Sequence, residues 1–292
     1  MSGEYASAMP VAVVTDSTAY LDEPEIARHG ITVVPLHVAI GGREFDDTED
    51  PARVGVAEAL RDHAPVTTSQ PAPQRFAAAY AEAAARGADG VVSVHLSGAL
   101  SGTAEAARLA AKESPVPVEV VDSGSVGMGL GFPVLAAAET ARRGASLADV
   151  ASTAKASAAA TRSIFYVDTL EYLRRGGRIG AAATLLGSAL AIKPLLNLED
   201  GTITVLEKVR TAHRAIARLE DLAVEAAGGG AVRVAVQHLG AAERARTLAD
   251  ALASRIPAAA PPLVVEVGAV IGAHVGPGLL AVTVSPAHPQ AG

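Results

Sequence analysis

Three apolar runs in the first 125 residues each end in a short turn rich in hydroxyl side chains. Val11–Val14 leads into Thr15-Asp16-Ser17-Thr18, Gly90–His95 into Ser97-Gly98-Ala99-Leu100-Ser101-Gly102-Thr103, and Val116–Val121 into Asp122-Ser123-Gly124-Ser125. Helix-patterned stretches lie between and beyond them, at 51–62, 74–86, 102–113, 129–143 and 146–159, and a further strand is expected over 31–39. Such alternation folds as a parallel sheet covered by helices. In sheets of that kind, ligands gather outside the carboxyl ends of the strands. Hydroxyls and free N–H groups at the following helix starts make that rim a receptor for an anionic group.

Beyond residue 162 the pattern changes. Ser163–Val167 reads as a strand, Asp168–Arg174 as a short helix before Gly176-Gly177, and Ala181–Ile192 as a helix stopped ahead of Pro194. Leu195–Leu198 and Thr202–Lys208 flank Asp200-Gly201, a two-residue hairpin signal. Helices at 211–227 and 241–255 then alternate with strands at 232–238, 263–267 and 279–284. A chain of 292 residues is long enough for two domains. The expected fold class is α/β in two parts. An N-terminal parallel-sheet, Rossmann-like domain spans 1–162, and a C-terminal α+β domain with a largely antiparallel sheet spans 163–292. Ala258–Pro262 reads as a surface loop and Ala287–Gly292 as a frayed tail.

Composition removes several function classes. A net charge of -7 argues against non-specific nucleic-acid binding. The chain has no cysteine, so thiolate catalysis, thiolate metal sites and disulfides are absent. His95, His213 and His238 are scattered without metal-ligand spacing, and no metal or cofactor is expected. Met1–Pro10 lacks the basic start of a signal peptide, and no apolar run approaches the ~18–20 residues of a membrane span. A cytoplasmic protein without stable membrane insertion is the expectation.

Four motifs carry candidate chemistry. Ser97–Thr103 can hold an anion through hydroxyls and N–H groups, or can merely cap a helix. Thr67-Thr68-Ser69-Gln70-Pro71-Ala72-Pro73 adds a second hydroxyl cluster stiffened by prolines. His274 falls in Gly272-Ala273-His274-Val275-Gly276-Pro277-Gly278, expected to be a loop whose shape would place an imidazole. From Arg174 to Arg218 the chain carries eight Lys and Arg against three acids, either a solvated face or a docking face for an acidic partner. Asp16 and Asp122 sit just past strands and are expected to bond their own turns. Gly127-Met128-Gly129-Leu130-Gly131 has the wrong spacing for a dinucleotide fingerprint, and there is no Walker loop.

In this order the motifs resemble the DegV family. The likeness runs from Val13-Val14-Thr15-Asp16-Ser17-Thr18 through Thr68-Ser69-Gln70-Pro71, Leu100-Ser101-Gly102-Thr103 and Leu173-Arg174-Arg175-Gly176-Gly177-Arg178. It continues in Ile192-Lys193-Pro194 and Lys208-Val209-Arg210-Thr211 and closes in Ala273-His274-Val275-Gly276-Pro277-Gly278. The resemblance implies a two-domain protein that holds one long-chain fatty acid in a tunnel. It implies a non-catalytic subunit that presents the acid's carboxylate to a separate ATP-binding fatty acid kinase subunit, with acyl phosphate passing to phospholipid synthesis. It assigns the head group to Thr68, to Ser97 or Ser101, and to His274, and the kinase-facing or phosphate-facing surface to Arg178 and Arg210. Many members carry two adjacent serines before Leu-Ser-Gly-Thr; this chain has Ser97-Gly98. Two other readings stand beside it: a stand-alone hydrolase using Ser97 or Ser101 with His274 as base, and a lipid-sensing regulator.

Overall fold

The computed structural model describes residues 11–48, 55–62, 64–185, 192–256 and 261–287. Strands β1 (Val11–Asp16), β2 (Thr32–Val34), β6 (Gly90–His95) and β7 (Val118–Asp122) form a parallel sheet in the order β2-β1-β6-β7. A six-stranded sheet comprises β8 (Arg162–Tyr166), β9 (Lys193–Glu199), β10 (Thr202–Val209), β11 (Val232–His238), β12 (Leu263–Glu266) and β13 (Leu280–Pro286). Its order is β10-β9-β8-β13-β11-β12, antiparallel except for the β11–β12 pair. The expected α/β class, parallel first and largely antiparallel second, is what the chain adopts.

The two sheets and their helices stack in five layers. Helix α1 (Glu23–His29) ends at Gly30 beside the parallel sheet. Helices α3 (Pro73–Ala85) and α4 (Thr103–Ala111) cover one face of that sheet, packing Phe76, Tyr80 and Ala107 against Val14 and Val91. Helices α5 (Met128–Arg142) and α6 (Leu147–Ala160) lie between the two sheets. The far face of the six-stranded sheet is covered by α8 (Ala212–Ala227) and α9 (Ala242–Arg255). Strand alternation sorts the residues: Val232, Val234 and Val236 of β11 face α8 and α9, whereas Ala235 joins the core between the sheets.

The two helices of the middle layer differ: α6 keeps exposed polar residues at Ser152 and Lys155, whereas α5 is enclosed on every side. In α5 every residue from Met128 to Ala138 is buried, and Glu139 and Arg142 appear only in its last turn. The Gly127-x-Gly129-x-Gly131 spacing serves this packing. A Cβ at Gly129 would sit 2.6 Å from Ser163 Oγ, and one at Gly131 would sit 2.7 Å from the carbonyl oxygen of Ala19.

Several expectations shift. The strand expected over 31–39 is broken at Pro35-Leu36, and its second piece, β3 (His37–Ile40), leaves the parallel sheet. It pairs instead with β4 (Arg43–Asp46) and β5 (Val66–Ser69) in a small antiparallel sheet of order β4-β3-β5. The helix expected at 51–62 is seen as α2 (Val56–Arg61), with residues 51–54 outside the described set. In place of a helix from Ala181, a 3-10 turn spans Gly180–Leu185, with 186–191 outside the described residues. Residues 257–260 and 288–292, which carry most of the expected loop and tail, also lie outside them. The Asp200-Gly201 hairpin forms as expected, both residues taking positive φ (49° and 77°). Phe132 is 2% exposed inside the shared core, so Phe132→Ala should lower unfolding free energy by about 3–5 kcal/mol. Urea denaturation measures this, and a loss below about 1 kcal/mol would mean that α5 is not held from both sides.

Candidate functional site

The carboxyl ends of β1 and β6 and the small antiparallel sheet meet the six-stranded sheet around a cavity of about 350 Å³. Apolar side chains, among them Leu36, Leu96, Val126, Ile203 and Ile271, form most of its wall. Leu100, Val126, Ile203, Ile271 and Val275 are shared with a deeper apolar compartment of about 60 Å³ that ends on Phe165, Leu198 and Leu279. Thr68, His274 and Arg178 are shared with an outer cleft of about 420 Å³. The polar group is therefore a wall shared by a mostly apolar cavity and a more polar cleft.

Each polar residue is placed by a local rule. Thr68 lies on β5, where strand alternation turns Val66 and Thr68 inward and leaves Thr67 more exposed. His274 is not on a loop: it occupies the last turn of a two-turn helix, α10 (Ala269–Val275). Helical spacing sends Val270, Ile271, His274 and Val275 to the cavity together. Thr68 Oγ1 and His274 Nε2 lie 2.9 Å apart, a link across 206 residues. His274 Nδ1 is buried without a hydrogen-bond partner, and a Cβ at Gly176 would come within 2.1 Å of it. Arg178, just after the short helix α7 (Glu171–Arg175), donates from Nε to the Leu100 carbonyl at 2.9 Å and from a terminal nitrogen to the Gly176 carbonyl at 2.6 Å. It joins the Ser97–Thr103 loop to the glycine turn behind His274.

The two serine candidates separate. Ser101 lines the cavity with its hydroxyl 2.9 Å from that of Thr103, and Gln70 lies over the adjoining Gly102. Ser97 is 1% exposed and does not line the cavity; its hydroxyl donates to the Gly201 carbonyl at 2.7 Å and accepts from Ala99 N at 3.2 Å. Arg210 follows β10, exposed and away from this cavity. Asp122 accepts from Gly98 N and Gly124 N, shaping the turn as expected. Asp16 accepts from Thr18 and from Leu96 N, and also receives the His95 ring at 3.0 Å. That ring contacts Ser93 Oγ at 2.7 Å, and Tyr80 donates to Ser93 at 2.9 Å. This serine–histidine–aspartate series is buried and internally bonded. Gln70 and the Tyr80–Ser93–His95–Asp16 series escaped sequence reasoning; the β-strand spacing of Ser93 and His95 was the available signal.

Burial is the chief reason the His274 imidazole is held down to about 4, with the Arg178 charge second. The ring is thus neutral near pH 7. A depressed histidine pKa means the unfolded chain binds the proton first, so this contribution to stability is lost as pH falls from about 6.5 toward 4. Between those pH values the urea midpoint should fall more steeply for the wild type than for His274→Asn; parallel curves would contradict it. Ser97→Ala should lower stability by about 1–3 kcal/mol, since the Gly201 carbonyl loses its partner, and calorimetry would reveal an unchanged midpoint if it does not.

Comparison with known proteins places these features in one family. The profile described as "Uncharacterised protein, DegV family" matches residues 10–287. A DegV domain-containing protein of Streptomyces coelicolor is 58% identical over 275 residues, covering 94% of this chain and 98% of that protein. Among solved structures, a DegV family protein from Thermus thermophilus described as fatty acid binding superposes with a TM-score of 0.88 at 37% identity, covering 95% of this chain and 99% of the other. DegV of Bacillus subtilis, described as a fatty acid binding protein, gives 0.87 at 33% identity with the same coverage. With nearly its whole length matched, and with Thr68, Ser101 and His274 gathered at one apolar cavity, the chain belongs to the DegV family.

Proposed function

We propose that this chain binds one long-chain fatty acid and presents its carboxylate to a separate ATP-dependent kinase subunit for acyl-phosphate formation. The observation that carries the reading is the wall itself. Thr68, His274 and Arg178 border both an apolar cavity, extended by a deeper apolar compartment, and an outer cleft. An acyl chain fits the interior, and its carboxylate would lie at the boundary. The related proteins described as fatty acid binding support the ligand class.

The head group would accept from the Thr68 and Ser101 hydroxyls and from the His274 imidazole, with Ser97 holding the loop to the hairpin. A neutral imidazole and two hydroxyls orient a carboxylate without neutralising it. One oxygen then keeps the electron density it needs to attack the γ-phosphorus of ATP, forming the acyl C–O–P linkage as ADP leaves. Arg178, at the boundary, would attract the approaching phosphates, and Arg210 would extend the basic face toward the partner. In this division of labour residues 1–162 contribute the hydroxyl loops, and residues 163–292 contribute His274 and the basic face. The hydrolase reading lacks a Ser–His contact for either candidate: Nε2 of His274 faces Thr68, Nδ1 faces Gly176, Ser97 is engaged with Gly201 and the Ser101 hydroxyl with that of Thr103.

Mass spectrometry of an organic extract from the purified protein should show about one fatty acid per chain. A lipid-free preparation that also leaves added oleate and palmitate unbound would sink the proposal. Thr68→Val and His274→Ala should each weaken head-group orientation by about 1.5–3 kcal/mol, lowering acyl-phosphate formation by the partner kinase more than fatty-acid affinity. Equal loss in both measurements would assign the two residues to binding alone.

A further inference from the structure

The helix that carries His274 has no capping side chain of its own. Its N-cap is Gly268, where a Cβ would lie 2.6 Å from Asp47 Oδ1 and 2.7 Å from Tyr20 Cε1. The cap arrives from across the fold. Asp47 Oδ1 accepts from the backbone N–H of Val270 at 2.8 Å, a separation of 223 residues. Asp47 Oδ2 accepts from Ser17 Oγ at 3.1 Å and from the Tyr20 hydroxyl at 3.2 Å, and the Tyr20 oxygen accepts from Ile271 N at 3.4 Å. Ser17 Oγ in turn accepts from Leu36 N at 3.0 Å, so the device is tied to the segment between β2 and β3. Asp47 is 5% exposed.

We propose that Asp47 is a positioning residue for His274: its carboxylate fixes the start of α10 and thereby the height of the imidazole against Thr68. Val270 and His274 are four residues apart on this helix, so they stack on one face a single turn apart and the placement of the first turn sets that of the imidazole. An ionised carboxylate at that end is favoured by the helix dipole and bonds the N–H more strongly than a neutral one.

Asp47 also titrates where this matters. Burial pushes its carboxyl up to about 7, against the opposing bonds from Val270, Ser17 and Tyr20 and with a smaller push from Asp16. Tyr20 is itself pushed well above 10 by burial and by Asp47, so its hydroxyl remains a donor. Among the described residues, Asp16, Tyr20, Glu23 and Glu266 face Asp47 around a cavity of about 310 Å³. On the other side of α10, Arg178 faces His274, and Tyr172 and Arg175 line the outer cleft. The local and global effects of pH have opposite signs. Ionisation tightens the cap as pH rises through about 7, while a raised carboxyl pKa lowers overall stability as pH climbs from 3.8 through that value.

The test is the ring-proton resonance of His274 in the full chain, identified by its loss in His274→Asn and followed from pH 6 to 8.5. His274 itself is held near 4 and is silent in that range, so a step with its midpoint near pH 7 reports Asp47. The step should be present in the wild type and absent in Asp47→Asn, which keeps the shape and one acceptor. A flat wild-type profile, or a step that survives in Asp47→Asn, overturns the proposal. The resonance needs no lipid, so failure of the positioning role and failure of the fatty-acid reading remain distinguishable.

Discussion

A helix that is apolar on every side is the constraint from which the remaining architecture follows. Alpha helices at a protein surface keep one polar face, but α5 presents none from Met128 to Ala138 and must be enclosed from both directions. The parallel sheet supplies one wall and the six-stranded sheet the other. Once both sheets flank the same helix, their ends must face each other beyond its N-terminus, where Val126 and Gly127 lie. Met128 N donates there to Gln237 Oε1 at 2.8 Å, locking the helix start to β11. The apolar compartments open at that end because α5 no longer fills the gap between the sheets.

Polar contacts then close the mouth of the gap. Thr68 comes from the small sheet, Ser101 from the turn after β6, and His274 and Arg178 from the second half of the chain. Two links span the opening, Thr68 to His274 and Arg178 to the Leu100 carbonyl, and Ser97 adds a third to the hairpin turn at Gly201. Each is a single hydrogen bond, worth about 0.5–1.5 kcal/mol net between neutral groups and about 1.5–3 kcal/mol from the Arg178 cation, small beside the burial of the shared core. These contacts specify where the polar edge lies; the apolar core holds the sheets together.

Legibility followed the range of the interactions. Local signals gave β1, β6, β7 and the Asp200-Gly201 hairpin, because apolar runs and positive-φ residues act within a few positions. The small antiparallel sheet was hidden: Pro35 interrupts a run that looks continuous, and β5 is an edge strand of hydroxyls whose pairing with Val38 no local pattern announces. Helix α10 was mistaken for a loop because Gly268, Gly272, Gly276 and Pro277 have poor helix propensity. It is held by burial of Ala269, Val270 and Val275 and by the bonds of its first turn to Asp47 and Tyr20, more than two hundred residues away. Ser97 and Ser101 could not be told apart in sequence, since the Gly201 carbonyl that occupies Ser97 is brought there only by the fold.

The division between orientation and affinity follows from the same geometry. Each buried methylene of an acyl chain contributes about 0.8 kcal/mol, so a dozen buried methylenes outweigh every hydrogen bond the mouth can offer. The polar wall is therefore free to be weak, and weakness there is useful. A protonated histidine or a fully engaged arginine would bind a carboxylate harder and blunt its oxygen as a nucleophile. Burial keeps His274 neutral, and the Leu100 and Gly176 carbonyls hold Arg178 at the boundary. A carboxylate bound there, as proposed, would be fixed in place yet chemically available from the cleft lined by Arg175 and Tyr172. An apolar interior, a neutral imidazole and a cation kept to one side are together what a carboxylate requires if a second protein is to modify it.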